Sequence, residues 1–145
     1  MSLFSALSVS VSGMSAQRAR AELLVQNIAN SETTRTAEGG PYRRKDAIFA
    51  SDPITSSFTS ELESQLHGTV EGVKVAGISV DTREPERRYL PGHPDADPEG
   101  YVAMPRVNPA EDMVDLMSAT RSYQANVSAI SAIKDMIQHS IDLLR

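Results

Sequence analysis

The final stretch, Pro109 to Arg145, constrains this chain most. Met113, Leu116, Thr120, Tyr123, Val127, Ile130, Lys134, Ile137, Ile141 and Leu144 follow one another at alternating spacings of three and four. All except Thr120 and Lys134 are apolar or aromatic, and the spacing places them on one stripe of an α-helix. A stripe kept over about five heptads has the form of a coiled-coil seam. The start is also marked: Asn108 suits the cap, Pro109 the first helical position, and Glu111 the acidic position of a capping box. No Pro or Gly follows, so a rise of about 1.5 Å per residue gives a rod of roughly 50 Å. A helix that long with one oily side needs a partner.

A second helix of the same period is expected from Ser2 to about Asn30. Its stripe is Phe4, Leu7, Val11, Met14, Arg18, Ala21, Val25 and Ile28. It is leaner, because Ala21 is small, Arg18 is charged, and serines with Gly13 crowd the first half and lower intrinsic helicity. With only 5% aromatic residues and no Trp, the chain has few large side chains on which to condense. The two helices alone carry too little apolar surface to offset their ordering entropy. Order in them is therefore expected to come with neighbours.

Between the helices the character changes. Every proline lies from Pro41 to Pro109, and every glycine but Gly13 from Gly39 to Gly100. Thr33 to Tyr42 reads as a loop, and Ala47 to Ala50 could begin a strand. Pro53 to Thr69 is Ser- and Thr-rich, with room for one helical turn at Glu61 to Leu66. The clearest strand is Val73 to Asp81, whose alternation slips at Ala76-Gly77 in the manner of a bulge. Arg87 to Leu90 is a candidate partner for it, and Tyr101 to Met104 is another short strand. The expected fold class is thus α+β: two long terminal helices pair as a coiled-coil-like inner domain around a small β-rich middle. The corresponding divisions are 1–32, 33–108 and 109–145.

Composition and spacing exclude several functions. A net charge of −5 argues against nucleic-acid binding, and Arg43-Arg44-Lys45 and Arg87-Arg88 read as solvated loop charges. The absence of cysteine removes disulfides and thiolate-bound zinc. No Sec-type signal or membrane-spanning run is present, which by composition alone suggests the cytosol. His67, His93 and His139 are isolated from one another, so no catalytic or metal constellation is expected, and no cofactor or small-molecule substrate. Asp95, Asp97, Glu99 and Gly100 imitate the first half of an EF-hand loop, but Arg106 stands where a bidentate Glu is required. Arg18 and Lys134, on the apolar stripes, can lay their stems over neighbours or form ion pairs between subunits.

Four stretches have a more specific likeness. Asn27-Ile28-Ala29-Asn30 with Thr33-Thr34 resembles the Asn-Leu-Ala-Asn motif closing the first helix of flagellar axial proteins. Gly40-Pro41-Tyr42-Arg43-Arg44-Lys45 and Pro91-Gly92-His93-Pro94, leading on through Asp97 to Gly100-Tyr101-Val102-Ala103-Met104-Pro105, resemble the FlgC family of proximal-rod proteins. So does Glu111 to Val114 leading to Ser122-Tyr123-Gln124-Ala125-Asn126-Val127. The resemblance implies a non-enzymatic structural subunit of the flagellar basal-body rod, exported through the flagellar type III apparatus and located in the periplasm. It also implies copies of itself, FlgB, FlgF and FlgG, and FliE at the base, as partners, without membrane insertion. On the residues alone, a soluble coiled-coil adaptor is the alternative. The expected assembly surface comprises Leu7, Met14, Val25, Asn27, Ile28, Asn30, Leu116, Tyr123, Val127, Ile130, Ile137 and Ile141.

Overall fold

A computed structural model describes residues 3–53 and 70–143. The chain runs through helix α1 (Leu3–Ala29), strands β1 (Lys45–Pro53), β2 (Glu71–Val80), β3 (Glu86–Tyr89) and β4 (Tyr101–Met104), and helix α2 (Pro109–Asp142). The expected turn at Glu61 to Leu66 lies outside the described residues. This is the α+β arrangement of two terminal helices flanking a small antiparallel β segment. α2 begins as its sequence requires: the Asn108 side chain accepts from the Ala110 N–H, and Pro109 fills the first turn, where no N–H is needed.

The helices pack antiparallel along one another, with Arg20 beside Asp115 and Gly13 beside Asn126. The most buried positions lie beside the apolar stripes, whose own residues are half-buried or exposed. In α1 the buried positions are Ser10, Ala16, Leu23, Leu24 and Asn27, and in α2 they are Asp112, Ala119 and Ile133. Along much of both helices these faces precede the oily stripes by one residue, a rotation of about 100°. Short side chains share these faces with Leu23, Leu24 and Ile133, and at Gly13 the two backbones approach closely. A Cβ on Gly13 would stand 3.1 Å from Asn126 Nδ2, itself held by a bond to the Ser122 carbonyl. Gly13→Ala is therefore expected to be near neutral, its helical gain of about 1 kcal/mol offset by the tight contact. Gly13→Leu should cost about 1–3 kcal/mol by overpacking, read as lost helicity in circular dichroism. Equal helicity in both variants would show that the helices do not meet here.

The β segment is two separate antiparallel pairs, β1 with β2 and β3 with β4. β1 and β2 pair from Lys45↔Val80 to Pro53↔Glu71, and the register shifts between Ile48 and Phe49, leaving Ala76 as the extra residue. The bulge thus falls where the alternation slips. The candidate pairing of Arg87 to Leu90 with β2 is corrected: β3 pairs with β4 instead. The proline-rich loop makes that pairing local. Leu90 donates to the Gly100 carbonyl, Asp97 to Tyr101 and Gly100 to Asp97, so the loop is a chain of turns that brings its ends together at little entropic cost. Gly100 has φ +87°, and a Cβ there would meet the Tyr89 ring at 2.9 Å.

Candidate assembly surface

The terminal part of α1 fixes the first β pair to the helices through one amide. Asn27 Nδ2 donates to the Lys45 carbonyl at 2.9 Å, while Oδ1 accepts from the Lys45 N–H at 3.0 Å and the Tyr42 hydroxyl at 2.9 Å. The side chain therefore pairs with both backbone groups of Lys45, as a neighbouring strand would. Three residues on, Asn30 donates to the Gln26 carbonyl and accepts from Thr33, closing the helix and starting the loop. Further along, Ser12 Oγ accepts from the Val73 N–H, so the β1–β2 pair runs back beside α1.

A second tie joins the β pair to α2. Arg44 Nη2 lies 3.0 Å from Asp112 Oδ1 and Arg44 Nε 3.2 Å from Asp46 Oδ1. The Asp112 contact lacks hydrogen-bond alignment, so this fully buried carboxylate has a charge partner but no hydrogen-bond donor on either oxygen. Burial raises its pKa, and Asp46, Asp115 and Glu111 add to the rise against the opposing pull of Arg44. Nearby Tyr42 is also raised, first by burial and then by Asp112 and Asp46. The expectation that Arg43-Arg44-Lys45 is a solvated charge cluster is thus corrected at Arg44, whose side chain is largely covered.

The sign of the resulting pH dependence follows. A carboxyl whose folded pKa lies above its unfolded value, about 3.9, stabilises fully below that value and progressively less as pH rises through the folded pKa. Asp81 acts oppositely: hydrogen bonds from the Arg83 side chain and backbone hold its pKa well below the ordinary range, so its contribution is lost only in stronger acid. The Tm of Asp112→Asn relative to the parent is therefore expected to be higher at pH 7 than at pH 4.5, on top of a pH-independent cost of leaving Arg44 without this partner. A constant difference at both pH values would show that Asp112 does not titrate in this window.

Most of the expected surface residues lie where a neighbour can reach them. Val25, Tyr123, Val127 and Ile141 are exposed, and Leu7, Met14, Ile28, Asn30, Leu116, Ile130 and Ile137 are half-buried. Asn27 is fully buried in the subunit and has no surface to offer, so it leaves the set. Phe4 at 75% and Met113 and Met117 at over half exposure extend the apolar area. Arg18 pairs with Glu22 in solvent, an i,i+4 contact of minor energetic weight. The signal for the Arg44–Asp112 tie was the Tyr-Arg-Arg-Lys run itself, whose partner α2 supplies from far along the chain.

The EF-hand-like acids are occupied by local structure. Asp95 accepts from Thr34 and pairs with Arg35, and Asp97 Oδ1 accepts from the Glu99 and Tyr101 N–H groups. His93 Nδ1 accepts from the Asp95 N–H. Among the described residues no group of acids and histidines is placed to hold a metal, and no helix is long and apolar enough to cross a membrane.

The fold is a pair of terminal helices whose apolar stripes stay partly exposed, with a β arm pinned at its base by Asn27. The model for the flagellar basal body rod FlgEFG protein C-terminal family matches residues 99–143. The chain is 39% identical to the flagellar basal-body rod protein FlgC of Borreliella burgdorferi over all of this chain and 99% of that one. It is 43% identical to FlgC of Bacillus subtilis over 99% of both chains, and 35% identical to FlgC of Salmonella typhimurium over 99% and 98%. The chain belongs to the FlgC family of flagellar basal-body rod proteins.

Proposed function

We propose that this chain is a non-enzymatic structural subunit of the flagellar rod, and that it assembles by burying the outward apolar stripes of α1 and α2 against neighbouring subunits. The observation that carries this reading is the apolar surface the helix pair leaves uncovered: Val25, Tyr123, Val127 and Ile141 remain exposed in the single subunit. In the assembled rod the helices from 1–32 and 109–145 form the inner layer, and 33–108 forms an outer arm. Such a subunit contributes to transmitting torque for motility. The neighbours are copies of the chain and the rod proteins FlgB, FlgF and FlgG, with FliE at the base. The rod lies in the periplasm, and the subunit reaches it through the flagellar type III apparatus.

Coupling of folding to assembly makes the export-competent and rigid states compatible. Among the described residues the buried apolar side chains are few: Ala16, Leu23, Leu24, Val102, Ala119 and Ile133. A core so thin is consistent with terminal helices that gain most of their stability from neighbours. Circular dichroism of the purified chain should show helicity below that of two fully formed helices in dilute solution, and a rise on adding rod partners. Deleting Ile130 to Leu144 should abolish incorporation while leaving the strand signal intact. A stable, highly helical small oligomer in dilute buffer would instead support the adaptor reading.

A further inference from the structure

Three prolines wall a small pocket on the β arm: Pro41 ahead of β1, Pro85 in the turn between β2 and β3, and Pro105 just after β4. The fixed φ of each makes these walls stiff. The open volume is about 10 Å³, room for one water-sized polar group and far below the roughly 300–1,000 Å³ of a small-molecule site. Four arginines line it, Arg43, Arg44, Arg83 and Arg106, against one acid, Asp81. In a chain of net charge −5 this is a local inversion of sign.

Two of the four are already spent. Arg83 grips the Asp81 carboxylate through Nε at 2.9 Å and Nη2 at 2.6 Å, and Arg44 lies against Asp112 and Asp46. Arg43 and Arg106, both exposed, have no acidic partner among the described residues. Each instead donates to a backbone carbonyl of the β2–β3 turn, Arg43 Nη1 to Asp81 at 3.4 Å and Arg106 Nη1 to Glu84 at 3.5 Å. Bonds that long orient a guanidinium without neutralising it, and they leave most of its five N–H donors unused. The turn thus holds two uncompensated charges at the mouth of one stiff pocket.

Their complement is a carboxylate, which a guanidinium binds with short, charge-assisted hydrogen bonds. A second copy is poorly suited to supply it. Among the described residues Glu84 and Glu86 stand beside these same arginines, so a copy presenting them would also bring like charge. The other closely spaced acids have members spent within the subunit, Asp95 and Asp97 in the proline-rich loop and Asp112 under Arg44. We propose that Arg43 and Arg106 form a docking site for an Asp- or Glu-bearing segment of a different protein in the rod, one carboxylate seating between the two guanidiniums against the proline walls. The proposal rests on the assembly reading and adds to it a polar contact on the arm, separate from the apolar stripes.

A carbodiimide joins an amine to a carboxylate only where the two touch, and it does not couple arginine. Basal bodies are isolated from a bacterium making Arg43→Lys/Arg106→Lys in place of the parent chain, treated with carbodiimide and digested for mass spectrometry. A link from position 43 or 106 to an Asp or Glu of a different protein is expected, with none at these positions in the parent. A link to another copy of the chain, or variant present in basal bodies with no link at either position, overturns the docking site and leaves the assembly reading standing. Parent chain absent from basal bodies overturns both. A second measurement needs no cross-link: Arg43→Glu/Arg106→Glu should reduce swimming at least tenfold with circular dichroism unchanged. Arg87→Glu/Arg88→Glu, the same charge change at exposed β3 arginines outside the pocket, should stay within about twofold of the parent. Equal swimming by the two double variants contradicts the site.

Discussion

Replacing Tyr123 and Val127 together with aspartate should remove the chain from the rod and abolish swimming. Both side chains are partly exposed on the α2 stripe, at 40% and 45%, so the change places charge in water in the free subunit and in apolar surroundings in the assembly. Lost burial of the surface still exposed is worth about 1 kcal/mol per side chain. Desolvating a carboxylate in the interface adds further cost. At roughly 1.4 kcal/mol per decade, a combined penalty of about 4 kcal/mol lowers each association constant a thousandfold, enough to stop growth of an assembly. The free variant should match the parent in circular dichroism. Basal bodies that contain the double variant at the parent level would remove the stripe from the interface.

Asn27→Ala should open the junction between helix and arm. It orphans the N–H and carbonyl of Lys45 and removes the acceptor of the Tyr42 hydroxyl. At about 1–3 kcal/mol for each buried group left unpaired, the loss is about 3 kcal/mol or more. Trypsin supplies a local readout, because Arg43, Arg44 and Lys45 all lie at the tie. Cleavage there should accelerate by roughly a hundredfold if opening precedes cutting in rapid equilibrium. Asn30→Ala, which loses contacts only within its own turn, should change it little. Equal cleavage of parent and Asn27→Ala would show that the amide does not hold the arm.

The legible parts of this molecule were those fixed by local chemistry. Asn108 and Pro109 mark where α2 starts, the 3–4 period marks both helices, and the slip at Ala76-Gly77 marks the bulge. The facing of the helices was not legible in the same way. Periodicity locates oily residues but not which side of each helix is covered, and Ser10, Ala16, Leu23, Leu24, Ala119 and Ile133 prove the most buried. The β3–β4 pair was hidden because prolines in its loop obscure the turns that close it. Asn27 was flagged through its motif, but its actual role depends on Lys45, which no periodic pattern links to it. Asp112 sits in the first turn of α2, and nothing local in the sequence marks it as the buried partner of Arg44, which arrives from just ahead of β1.

The small side chains between the two helices carry a kinetic implication. Gly13, Ala16 and Ala119 have almost no rotamers to freeze, so bringing the helices together is paid chiefly in backbone freedom. The stripe residues that stay exposed, such as Met113, Met117 and Ile141, still have rotamer freedom to lose when another subunit covers them. Docking, rather than closure of the monomer, is then the step that selects their conformations, and a subunit seated against the wrong neighbour can still let go.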